Sequence, residues 1–135
     1  MNCIKKLINK SSNTDEELND ICENCKRVCY GINFQRNFKN WTSDNNYIDI
    51  FIQVTQLSVH YQCEISNALE WIPYDKFYNI KYILEDTFKA NWIDGYIYKW
   101  NNYFKNWKRR NKNMFVILKS LNDPKYITLN FMNEV

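Results

Sequence analysis

The hydrophobic period of this chain changes at Trp71-Ile72-Pro73, and that change limits its architecture more than any other feature. Before it, apolar residues recur at helical spacing. After it, they crowd into short β-branched and aromatic runs. Residues 14–28, "TDEELNDICENCKRV", read as a helix: Thr14 and Glu17 have capping-box spacing, and Leu18, Ile21, Cys22, Cys25 and Cys29 form an apolar stripe. A second helix is expected after Ser43, with Ile48, Phe51, Ile52, Thr55 and Val59 on one face, and a third from Glu64 to Glu70, separate or continuous with it. Pro73 ends the helical part, because the residue before a proline avoids the α region. Beyond it, "KFYNIKYIL" (76–84), "TFKANWI" (87–93) and "MFVILKSL" (114–121) have strand composition, and Asp94-Gly95 marks a turn. Asn122-Asp123-Pro124 then opens a predicted helix from Ile127 onward. The expected class is α+β with antiparallel strands: a helical region over 1–70, then a mixed region over 71–135.

Composition adds a few bounds. With 135 residues the chain has the size of one small domain, and 45% hydrophobic content is enough for a core. Glycine is confined to Gly31 and Gly95, so left-handed turns have few obvious candidates, while asparagine is abundant and suits polar turns. The start, "MNCIKKLINK", lacks the apolar run of a signal peptide, and no segment reaches transmembrane length. The expectation is a cytoplasmic or nuclear protein with its five cysteines reduced and no membrane partner. A net charge of +3 is too small to name a partner.

Lys119 stands out in the third predicted strand. Phe115, Ile117, Lys119 and Leu121 share a face, so the ammonium interrupts an apolar row expected to face the core. On the predicted last helix, Ile127, Phe131 and Glu134 fall at i, i+4 and i+7, which puts a carboxylate on a core-facing side. Two inward charges of opposite sign suggest an ion pair.

These residues resemble protein kinases. "VILK" (116–119) and "FMNE" (131–134) look like the third-strand V-A-I-K motif and the glutamate of the following helix. "WIPYDKFYNIKYI" looks like the lead-in and first strand of a kinase N-terminal lobe, and "FKANWIDG" like its second strand. With "ALEWIPYDKF" and "NFKNWTS", the similarity is greatest to tyrosine-kinase-like kinases of fungi and touches most of residues 34–135. The resemblance implies a partial lobe of three antiparallel strands plus the start of a helix. It also implies a family activity of ATP-dependent protein phosphorylation with magnesium, Lys119 and Glu134 as the phosphate-side ion pair, and Thr87 and Ile117 at the adenine pocket.

The chemistry departs from the family. The interval that should hold a glycine-rich phosphate loop is "ILEDTFKA", with Glu85 and Asp86 where phosphates would lie. Ile117 replaces a small alanine, and overfilling a snug pocket costs roughly 1–3 kcal/mol. Thr87 replaces the apolar residue that caps the base. No H-R-D-x-x-x-x-N or D-F-G segment occurs in these 135 residues. The expectation is a truncated or degenerate kinase-like protein that is non-catalytic, binds ATP poorly, and meets a protein partner rather than nucleic acid. The alternatives are a piece of an active, ATP-binding kinase, or a small zinc- or RNA-binding interaction module.

Two constellations carry that last alternative. Cys22, Cys25 and Cys29 form C-x2-C-x3-C; zinc needs a fourth ligand, for which Cys3, His60 and Cys63 are available without a recognisable spacing. The competing and preferred reading is that these cysteines pack as small hydrophobes on the stripe of the 14–28 helix. The segment 96–113, "YIYKWNNYFKNWKRRNKN", carries +6 and no acid, leaving 3 − 6 = −3 for the rest of the chain. Its rings alternate with its charges, so Trp100, Trp107, Lys108, Arg109 and Arg110 form a candidate binding patch. Because Trp100, Tyr103, Phe104 and Trp107 fall at i, i+3, i+4 and i+7, the preferred reading is a helix with one buried face, inserted between the second and third strands.

Overall fold

The computed structural model describes residues 21–120, so the helix expected from Ile127, Glu134 and the Lys119–Glu134 ion pair lie outside the described residues. The chain divides into two compact units between Trp71 and Ile72. Among the described residues no helix is long and apolar enough to cross a membrane.

The N-terminal unit does not continue the predicted 14–28 helix through the cysteines. Residues 21–29 form turns, with Lys26 in the left-handed region at φ 57°. The Cys22 N–H donates to the Arg27 carbonyl (3.0 Å) and the Lys26 N–H to the Cys22 carbonyl (2.8 Å), which folds the segment back on itself. Helix α1 spans Tyr30–Gln35 and a 3-10 turn spans Phe38–Asn40. Helix α2 spans Asn46–Leu57 and begins where the side chain of Asn45 accepts the N–H groups of Tyr47 and Ile48, two of the donors a helix start leaves unpaired. The predicted face of α2 holds: Ile52 is buried and Ile48, Phe51 and Thr55 are half-buried, while Val59 is buried two residues past the helix end. Residues 64–70 are not an α-helix or a continuation of α2; a 3-10 segment spans Gln62–Asn67 after an extended Tyr61. Gly31 is required by packing, since a Cβ there would lie 2.9 Å from the Leu57 carbonyl oxygen.

The C-terminal unit is antiparallel. Strand β1 is Phe77–Leu84, β2 Thr87–Trp92, β3 Tyr96–Asn101, β4 Asn106–Arg110 and β5 Met114–Lys119. Strands β1, β2 and β5 form a three-stranded sheet in that order, and β3 and β4 form a separate two-stranded one. The three sheet strands therefore stand where the sequence places them. The inserted segment is a β-hairpin, not the expected helix. Scarce glycine is compensated by other residues: Asp44, Asn79, Asp86, Asn111 and Asn113 adopt positive φ, a region that Asn and Asp tolerate best among residues with a Cβ.

Lys119 does not face the core expected for it. Phe115, Ile117 and Lys119 do share a face, but it is the open one: Phe115 is 66% and Ile117 58% exposed, and Lys119 is exposed as well. The covered face carries Ala90, paired with Val116, and Trp92, paired with Met114. Both rows of β5 are apolar, so alternation alone does not identify the inner one; the small, fully buried Ala90 of β2 does.

Candidate metal centre

The folded-back turn at 22–27 brings Cys22 and Cys25 together, and Cys29 follows at the N-cap of α1. His60 arrives from a different part of the chain, just beyond the end of α2. Two contacts fix it there. The Tyr30 N–H reaches the His60 carbonyl (3.4 Å), and the Glu64 carboxylate accepts the N–H groups of His60 and Tyr61 (3.1 Å each). The Arg27 guanidinium sits 4.9 Å from the Tyr61 ring centroid and links the cysteine turn to the histidine segment.

The result is four donor atoms facing one another. His60 Nδ1 lies 3.2 Å from Cys25 Sγ and 3.5 Å from Cys22 Sγ. The ligand atoms of Cys22, Cys25, Cys29 and His60 all lie within 4.8 Å of one another, close enough to hold a metal ion. Tetrahedral zinc with ordinary bond lengths separates its ligand atoms by about 3.5–3.8 Å, which this cluster matches within small side-chain adjustments. Cys22 and Cys29 are buried, and Cys25 and His60 half-buried.

The electrostatics are those of crowded thiols. The Cys25 thiol is pushed up to about 11, first by desolvation and then by the hydrogen bond and charge of Cys22 and the proximity of Cys29. Cys29 is also raised, chiefly by burial, while the N–H groups of Ile32 and Gly31 pull the other way by favouring its thiolate. Without a cation these groups hold their protons; a divalent ion among them reverses the preference.

The cysteines pack as expected, but not along one helix. Cys22 and Cys29 do form a core cluster with Ile32 and Leu57, against which Cys25 and Phe38 pack. They do so from a turn and a helix cap rather than from one helical stripe. Of the candidate fourth ligands, His60 joins the cluster, Cys63 is exposed, and Cys3 is outside the described residues. The signal for His60 was in the sequence, as the one histidine of the chain beside an incomplete thiol triplet, but its distance from Cys29 carried no motif spacing.

The other predicted site residues lie in the C-terminal unit. Thr87 is the cross-strand partner of Lys119, and Ile117 is the partner of Lys89, so Thr87, Ile117 and Lys119 occupy the same open face. The β1–β2 connection is a two-residue turn, Glu85-Asp86, closed by the Leu84–Thr87 pair with Asp86 at φ 56°. Within the basic segment, Trp100 and Trp107 pair across the hairpin with ring centroids 4.7 Å apart. Alternation then splits the predicted patch: Trp107 and Arg109 are half-buried on one face, Lys108 and Arg110 exposed on the other.

No protein-family model matches the chain, and neither does a curated protein or a solved structure.

Proposed function

We propose that this chain works by binding rather than by catalysis, and that a zinc ion held by Cys22, Cys25, Cys29 and His60 organises its N-terminal unit. The observation that carries this reading is the convergence of three thiols and an imidazole within 4.8 Å, from two segments separated by α1 and α2. Three sulfurs and one imidazole favour zinc over the harder cations, which prefer oxygen. Four protein ligands complete a tetrahedron and leave no position for substrate, so the chemistry supplied is structural. Elemental analysis of the purified chain should find one zinc per molecule. His60→Ala and Cys22→Ser should lose it, and Cys63→Ser, at an exposed thiol outside the cluster, should keep it. A chain free of metal after purification without chelator, and unable to take up zinc on titration, would sink the reading.

A second reading concerns the three-stranded sheet. The kinase resemblance requires Thr87, Ile117 and Lys119 to face one side, and their shared open face favours it. On this reading the sheet descends from a nucleotide-binding lobe and binds ATP weakly or not at all. The tight Glu85-Asp86 turn offers two carboxylates where a phosphate loop would offer a run of N–H groups. Thermal denaturation with and without ATP-Mg tests this; a stabilisation of several degrees would refute the claim of poor nucleotide binding.

A further inference from the structure

We propose that the β3–β4 hairpin is a docking surface for single-stranded nucleic acid. The helical arrangement that would have accounted for its rings and charges does not form, and the hairpin distributes them differently. Lys99 and Lys108 stand directly opposite each other. Like charges in that position destabilise a strand pair, so the hairpin carries a local cost that a polyanion would relieve. Arg110 follows Lys108 on the same exposed face, its guanidinium 3.9 Å from the centroid of Tyr98, which steadies it as a flat cation. No acidic residue occurs between Tyr96 and Asn113 to neutralise the face internally.

The tip supplies the second half of the recognition. Tyr103 is 87% and Phe104 69% exposed. They are presented by a built turn: the Asn101 side chain accepts both of their N–H groups at 2.9 Å, and the two rings meet edge to face at 4.9 Å. Rings this exposed are costly in water and useful where a flat partner stacks on them. A ribbon of cations ending in two presented aromatic rings matches a chain that repeats phosphate and base. An acidic peptide would use the cations and leave the rings idle. A duplex would keep its bases out of their reach.

Fluorescence anisotropy on the full chain tests this with labelled oligouridylate and oligothymidylate, a duplex of equal length, and polyglutamate as competitor, across a salt series. The single strands should bind more tightly than the duplex, with affinity falling as salt rises. Lys99→Gln with Lys108→Gln should flatten the log–log salt dependence by about 1.4, the value for two lost phosphate contacts on a single strand. Tyr103→Ser with Phe104→Ser should weaken binding about tenfold or more and leave the salt slope unchanged. Preference for the uridylate or the thymidylate supports the proposal equally and assigns the sugar. Absence of binding at low salt, equal binding of duplex, or polyglutamate competing as well as oligonucleotide with the ring variant unaffected would each overturn it. The altered side chains are exposed, so both variants should fold, and circular dichroism checks this.

Discussion

The two units of this chain solve the same problem with different materials. The N-terminal unit has short helices, turns and a small core in which Cys22 and Cys29 sit beside Ile32 and Leu57. Its most buried side chains are thus partly its proposed metal ligands. The C-terminal unit has no such cluster among the described residues and relies on antiparallel ladders with only Ala90 and Trp92 as buried hydrophobic anchors. On the proposed reading, one unit is held by coordination at a point and the other by hydrogen bonds spread along strands. Small units rarely bury enough apolar surface to stand alone, so each needs such a supplement.

The comparison breaks most sharply on metal removal. Structural zinc contributes about 10 kcal/mol or more to small domains, comparable with the whole stability of a typical one. Stripping zinc with a strong chelator should abolish amide-exchange protection across α1 and α2 while leaving the strands from Phe77 to Lys119 protected. Loss of protection in both units, or in neither, would erase the contrast.

A glycine substitution in each unit tests the same contrast from the backbone. Gly95 has φ 70°, and a Cβ there would lie 1.9 Å from the Arg110 carbonyl oxygen. Gly95→Ala must break the approach of β3 to β4, at a cost of at least about 2 kcal/mol. Gly31→Ala meets the Leu57 carbonyl at 2.9 Å without a left-handed backbone, so overpacking of about 1–3 kcal/mol is expected. In the full chain, Gly95→Ala should lower exchange protection in the C-terminal unit and leave zinc affinity unchanged. Gly31→Ala should do the reverse, because it disturbs the helix that Cys29 caps.

What the sequence disclosed follows the same division. Strands β1, β2 and β5 were legible because β-branched and aromatic residues cluster there and turn residues bound them. The β3–β4 hairpin was not, for a geometric reason. Residues 100 and 107 are cross-strand partners, and 103 and 104 sit at the centre of the loop between them. A hairpin with a four-residue loop therefore reproduces the i, i+3, i+4, i+7 spacing of a helix face. The cysteine segment misled similarly: a spacing of three and four also suits a folded-back turn, and the left-handed Lys26 that makes the turn has no residue-type signature. His60 joined them through the path of α2, which periodicity predicts, and through the Glu64 contacts beyond it, which periodicity does not.

The smallest expected effect sharpens the comparison within the N-terminal unit, by asking how much its helices owe to local polar contacts. The Asp49 carboxylate accepts the Thr42 hydroxyl (2.6 Å), the Ser43 N–H (2.8 Å) and the Ser43 hydroxyl. Partial burial opposes its ionisation, but these hydrogen bonds prevail and hold its pKa below the usual 3.8. A depressed pKa means that the folded state favours the charged form. The resulting stability is fully present above the unfolded value and is lost as pH falls through the folded one. Asp49→Asn should therefore cost about 0.5–1 kcal/mol at neutral pH, a value typical of a partly exposed charge near a helix start. The gap between variant and parent should narrow as the solution is acidified below about 3.8. Any change that acid brings at the cysteine cluster is common to both proteins, so the difference in urea midpoint between them carries the test. A gap that stays constant into that range would show that Asp49 contributes through packing rather than through its charge.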